Sequence, residues 1–241
     1  MSASGRDAVF ERLLDPLGMK YFSEADRYFR AMVPDSAFAY IHRAGYRGSF
    51  QGVDVAINSY GFRAPEWRTP KPAGLVRLMI LGDSVVFGWG APQDSIFPIR
   101  VQRALEAEGA GVEVLPAGVG SWNTRTEYEY LKARGTELDP DVLLLVVTSN
   151  DAVANAVGRS GEEAALAAGR RGGRAAGAWA AKAWRFAGKR SYVAGHVQYL
   201  SRRRAEKRGY ASLDEDSPAW RDARAALDAV VDLCGRRGIE L

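Results

Sequence analysis

The chain has 241 residues, 47% of them hydrophobic, one cysteine and a formal net charge of +4. That length and composition exclude a disordered chain and suffice for one well-buried domain. With Cys234 alone, no internal disulfide can form and no cysteine-rich metal site is available.

The charge is unevenly spread. Thirteen Lys and Arg face three Glu between Asn155 and Tyr210, a local +10 that leaves −6 for the remainder. Such a stretch could meet nucleic acid or an anionic membrane. No zinc-finger, RNA-recognition or helix-turn-helix signature accompanies it, so a solvated helical insertion over 155–217 is expected and no nucleic-acid partner. Met1 to Arg12 is polar, without the apolar core of a signal peptide, and no apolar run is long enough to span a bilayer. A cytoplasmic location is the resulting expectation.

In chain order, Asp7 to Val33 carries apolar residues at near-helical spacing and predicts one or two short helices. Val53, Val55 and Ile57 suggest a short strand, Ile57 to Arg63 a turn, and Glu66 to Gly74 an extended connector. The apolar run from Val76 then predicts a buried strand that ends abruptly at Gly82-Asp83-Ser84. Gly82 is expected to allow a sharp turn that projects Ser84 into the crevice at a strand's carboxyl end, where open α/β sheets bind ligands. Asp94 or Ser95 would cap a helix to about Glu108 with Phe97, Val101, Ala104 and Leu105 inward. Val112 to Leu115 reads as a strand, Pro116 to Thr124 as its loop, and Thr124 as the cap of a helix towards Arg134.

Val142 to Val147 is six consecutive aliphatic residues, a pattern expected of a parallel strand buried on both faces. It delivers Thr148-Ser149-Asn150-Asp151 to the same rim. Pro218 to Arg237 predicts an amphipathic helix with Trp220, Ala223, Leu227, Val230, Val231 and Cys234 inward, capped by Gly238. Ile239-Glu240-Leu241 then opens a further parallel strand. Three strands, each followed by a helix, give the βαβ pattern of a single doubly wound α/β domain over 1–241.

The three rim loops, Gly82-Asp83-Ser84, Gly118 to Thr124 and Asn150-Asp151, resemble the first three sequence blocks of the SGNH (GDSL-type) hydrolase superfamily, in order. The turn Asn58-Ser59-Tyr60-Gly61-Phe62-Arg63 is similar to bacterial members as well. The resemblance implies a three-layer α/β/α, flavodoxin-like parallel sheet. It implies Ser84 as the nucleophile of acyl transfer, with no metal and no cofactor. The oxyanion donors it implies are the N–H of Ser84, an N–H of Gly120 or Ser121, and the amide of Asn150. Gly82, Asp83 and Asp151 would support the loops. Ser121 stands where the family usually has glycine, a change a backbone donor survives if the residue does not need positive φ.

The family's Asp-x-x-His motif does not occur in this chain, so no catalytic His/Asp pair is identified. His42 and His196 are expected to be structural or surface residues. The chain is therefore expected to be a C-terminally truncated member, inactive alone, that lacks the last strands. Trp89 and Trp122 would line a substrate site or pack, and the segment Ala175 to Phe186 would form a lid or a plain surface helix. The implied function is hydrolysis of a carboxylic ester, such as an acetylated carbohydrate or short acyl ester. The alternatives are O-acyl transfer to a sugar hydroxyl and a catalytically inactive binding module. The partner would then be a small-molecule or carbohydrate ester.

Overall fold

The computed structural model describes residues 27–29, 31–148, 151 and 218–241. The basic insertion with its proposed lid, His196, Asn150 and most of the expected N-terminal helices lie outside these residues. Residues 27–29 are helical, but the expected helical reach to Val33 gives way to strand β1 (Met32–Asp35). It pairs antiparallel with β2 (Ala39–His42). A second hairpin joins β3 (Arg47–Phe50) to β4 (Val53–Ala56) through Gln51 and Gly52, both at positive φ.

The central element is β5 (Val76–Gly82), flanked by β6 (Val112–Gly118) and β7 (Val142–Val146) in a parallel sheet of order β6-β5-β7. A parallel bridge adds Glu240 beyond β7: the Leu143 N–H donates to the Glu240 carbonyl at 2.7 Å. The expected strand start at Ile239 is therefore seated beside β7. β6 runs three residues further than its apolar stretch suggests, through Pro116. Pro is tolerated there because β6 is a terminal strand of the described sheet.

Alternation along β5 sends its side chains to two separate cores. Ile80 packs with Val86, Val114 and the inner residues Phe97, Val101 and Leu105 of α2 (Phe97–Ala107). Met79 and Leu81 join Leu115, Leu143 and residues of α3 (Thr124–Ala133) and α4 (Pro218–Arg237). α4 has the predicted bounds, but its buried face is Ala223, Ala226, Val230, Leu233 and Cys234, and Val231 is exposed. The start of α2 differs too: Gln93–Ser95 forms a 3-10 turn and Ile96 is the cap, with proline at the first helical turn favouring that start. Ala104 is exposed.

β7 is not buried on both faces. Leu144 is 44% exposed and Val147, just past the strand, 49%; among the described residues α2 packs on β6, and no described helix covers Leu144. These two residues, with Leu227, Val231 and Leu241, line an apolar groove of about 270 Å³. No described helix is long and apolar enough to cross a membrane.

Candidate active site

The carboxyl ends of β5, β6 and β7 lie side by side, with Gly82 in register with both Gly118 and Val146. Gly82 is not at positive φ. Its requirement is steric, since a Cβ there would stand 2.6 Å from a methyl of Val86, so close approach rather than turning explains the glycine. Gly118 is tighter still: a Cβ would lie 2.3 Å from the Phe87 nitrogen. The two glycines let the short helix α1 (Ser84–Phe87) settle directly on the strand ends.

Ser84 is half-buried at the start of α1, and among the described residues its hydroxyl and backbone N–H take no hydrogen-bond partner. Asp83 before it is 3% exposed and caps α1 by accepting the Val85 N–H at 2.8 Å. Its other oxygen accepts the Thr148 hydroxyl at 3.0 Å, which ties the first loop to the third. Asp151 continues the chain of contacts by accepting the Thr148 N–H at 2.5 Å and the Thr124 hydroxyl at 2.9 Å. Burial pushes the Asp151 pKa up, against those hydrogen bonds, which lower it. Because Thr124 is committed to Asp151, it does not cap α3. Asn123 does, accepting the Thr126 N–H at 3.1 Å.

The second loop is held by residues that sequence reasoning had not assigned to the site. Gly120 is buried and donates its N–H to the Tyr28 hydroxyl at 2.5 Å, while its carbonyl accepts the Tyr40 hydroxyl at 3.2 Å. Trp122 donates its indole N–H to the Tyr40 carbonyl at 3.0 Å and is fully buried, so it packs rather than lining a site. Ser121, between them, is exposed and stands at φ +66°. The sequence condition is thus not met: this position does occupy the left-handed region that favours glycine.

His42 is 1% exposed and stacks on Phe87 at 5.1 Å. Its Nδ1 lies 2.9 Å from the Gly61 carbonyl, which can only accept, so Nδ1 carries the proton. Nε2 accordingly accepts from the Tyr28 hydroxyl at 2.8 Å. Burial lowers its pKa to about 4, so it is neutral at neutral pH. His42 is a buried structural histidine.

In the sequence Arg63 stands out only as the end of a turn. It is 1% exposed and gathers the chain that follows α1: Nη1 donates to Gly88 O and Nη2 to Ala91 O, both at 2.8 Å, with Phe87 O and Asp54 O also in reach. Asn58 holds the preceding turn by accepting the Tyr60 and Phe62 N–H groups, each at 3.0 Å. Glu127 of α3 is a second unforeseen residue. It is fully buried, neither carboxyl oxygen has a partner among the described residues, and burial, then Asp151 and Asp83, push its pKa well up. Among the described residues no group of three His, Cys, Asp or Glu could hold a metal ion.

No family model matches the chain, and no curated protein matches it. Among solved structures it is similar to that of TesA, at 22% identity over 32% of this chain and 42% of that one, with a TM-score of 0.30. It is also similar to AlinE4, an SGNH-hydrolase family esterase, at 23% identity over 40% and 50% of the two chains, TM-score 0.29. The acetyl xylan esterase AlAXEase aligns at 16% identity over 69% of this chain and 76% of its own, TM-score 0.29. The matched part spans half or less of the length of TesA and AlinE4. These neighbours include SGNH-family esterases, and the likeness is partial. A functional reading therefore rests on the site's own geometry.

Proposed function

We propose that this chain carries the nucleophile and oxyanion-binding loops of an SGNH-type carboxylic ester hydrolase with the three-layer α/β/α, flavodoxin-like fold. The observation that carries the reading is the Ser84 hydroxyl, which heads the central strand's loop with no partner among the described residues. That loop is tied to the third through Asp83 and Thr148, and the third to the second through Asp151 and Thr124.

In this reading the Ser84 oxygen bonds to the ester carbonyl carbon and loses its proton to a base. The carbonyl oxygen becomes an oxyanion, the alcohol leaves, and water resolves the acyl-enzyme. The N–H groups of Ser84 and Ser121 and the amide of Asn150 receive the oxyanion. Ser121 is preferred over Gly120 because the Gly120 N–H is already given to Tyr28. Each such donor is worth about 3–4 kcal/mol of barrier lowering. Gly82, Asp83 and Asp151 position the loops. The base is not His42, which is buried and bonded through both ring nitrogens. A short acyl ester, such as an acetylated carbohydrate, is the proposed substrate class.

The test is labelling of the complete protein with a fluorophosphonate and turnover of a p-nitrophenyl ester. Ser84→Ala is expected to lose both, by more than about 10³-fold, with an unchanged circular-dichroism spectrum. Retained turnover refutes the assignment.

A further inference from the structure

The second loop is gripped from both sides of one residue, and the grip has a directional consequence. Gly120 offers its N–H to Tyr28 and its carbonyl to Tyr40. The peptide linking Gly120 to Ser121 is trans, and in a trans peptide the C=O and N–H point in opposite directions. Whatever holds the Gly120 carbonyl therefore also aims the Ser121 N–H, away from Tyr40. Tyr40 is itself restrained, because its carbonyl accepts the Trp122 indole and its hydroxyl meets the Ser121 side chain. Tyr28 is restrained by His42 behind it, whose tautomer is set by the Gly61 carbonyl. There is also no slack at Gly120, where a Cβ would stand 2.7 Å from the Tyr28 hydroxyl oxygen.

We propose that Tyr40 and Tyr28 are positioning residues that aim the Ser121 N–H as the second oxyanion donor, Tyr40 through the Gly120 carbonyl and Tyr28 through the Gly120 N–H. The inference rests on the ester-hydrolase reading and adds to it two residues from the N-terminal segment, far in sequence from the three loops. Neither tyrosine touches the reacting atoms. Removing either hydroxyl frees the peptide plane to rotate, which weakens the transition-state contact and leaves ground-state binding as it was.

The experiment compares wild type, Tyr40→Phe, Tyr28→Phe and Ser84→Ala of the complete protein, by p-nitrophenyl acetate kinetics and by the rate of fluorophosphonate labelling at Ser84. Each Tyr→Phe variant is expected to lower kcat and the labelling rate together by about 10- to 100-fold with KM unchanged. Unchanged kcat, or a change confined to KM, in a folded Tyr40→Phe protein overturns the inference alone. Absence of labelling in wild type, or full turnover by Ser84→Ala, overturns the hydrolase reading and this inference with it.

A second measurement needs no tyrosine variant. In wild type phosphonylated at Ser84, the Ser121 amide proton resonance is expected to move downfield while that of Gly120 stays. The reverse pattern overturns the assignment of the donor.

Discussion

Ser121 shows how one residue can be placed correctly and still be misjudged. Its membership of the second loop follows from its spacing after the β6 strand, but its backbone state does not. At φ +66° a serine bears a strain that glycine would not, and a β-branched side chain would bear more. In urea denaturation, Ser121→Val should lose about 1–3 kcal/mol, whereas Ser121→Gly should stay within about 1 kcal/mol of wild type. Equal losses from both substitutions would mean that the side-chain contact with Tyr40, not the backbone, dominates. The same gap separates Thr124 as expected from Thr124 as found. Both it and Asn123 are good capping residues, and what decided between them was a partner 27 residues away, Asp151, invisible to local reasoning.

At the scale of elements, the parallel strands and α4 were legible because long apolar runs and 3.6-residue periodicity are strong local signals. The hairpin β1–β2 was not. Its left-handed position is Ala39 at φ +76°, which carries none of the glycine or asparagine that marks a turn. The segment from Asn58 to Arg63 was recognised as a turn, yet its task was hidden, since that task lies in carbonyls some 25 residues downstream. Arg63 offers a planar fork that spans Gly88, Ala91 and Asp54 at once. A lysine presents a single point charge and cannot reproduce that reach. Arg63→Ala is expected to cost more than about 3 kcal/mol, from several buried carbonyls left unpaired, and Arg63→Lys should recover little of it. Thermal melts of the two variants check this, and a wild-type Tm for Arg63→Lys would show that charge alone holds the α1 turn.

For the whole molecule, two buried titratable groups bracket the pH range in which it is most stable. His42 is neutral when folded, with a pKa near 4, whereas the unfolded chain's histidine takes a proton below about 6.5. Its contribution is present above that value and falls away as pH drops towards 4, by about 3 kcal/mol. Glu127 acts in the opposite sense. Its folded pKa is raised, so the folded state keeps a proton that the unfolded chain releases, and stability declines as pH rises from the usual carboxylate range towards the raised value. Glu127→Gln is therefore expected to raise Tm more at about pH 8 than at about pH 5, flattening the alkaline limb. A uniform shift at both pH values would mean that Glu127 is ionised in the native state.

The tethers on Gly120 come from residues 92 and 80 positions earlier in the chain. Closing loops of that length carries a large entropic cost, so such contacts consolidate late in folding, after the local strand–helix units have formed. The set of the second loop would accordingly be among the last features a refolding molecule acquires. It would also be among the first lost when the amino-terminal hairpin peels away while the parallel sheet stays intact.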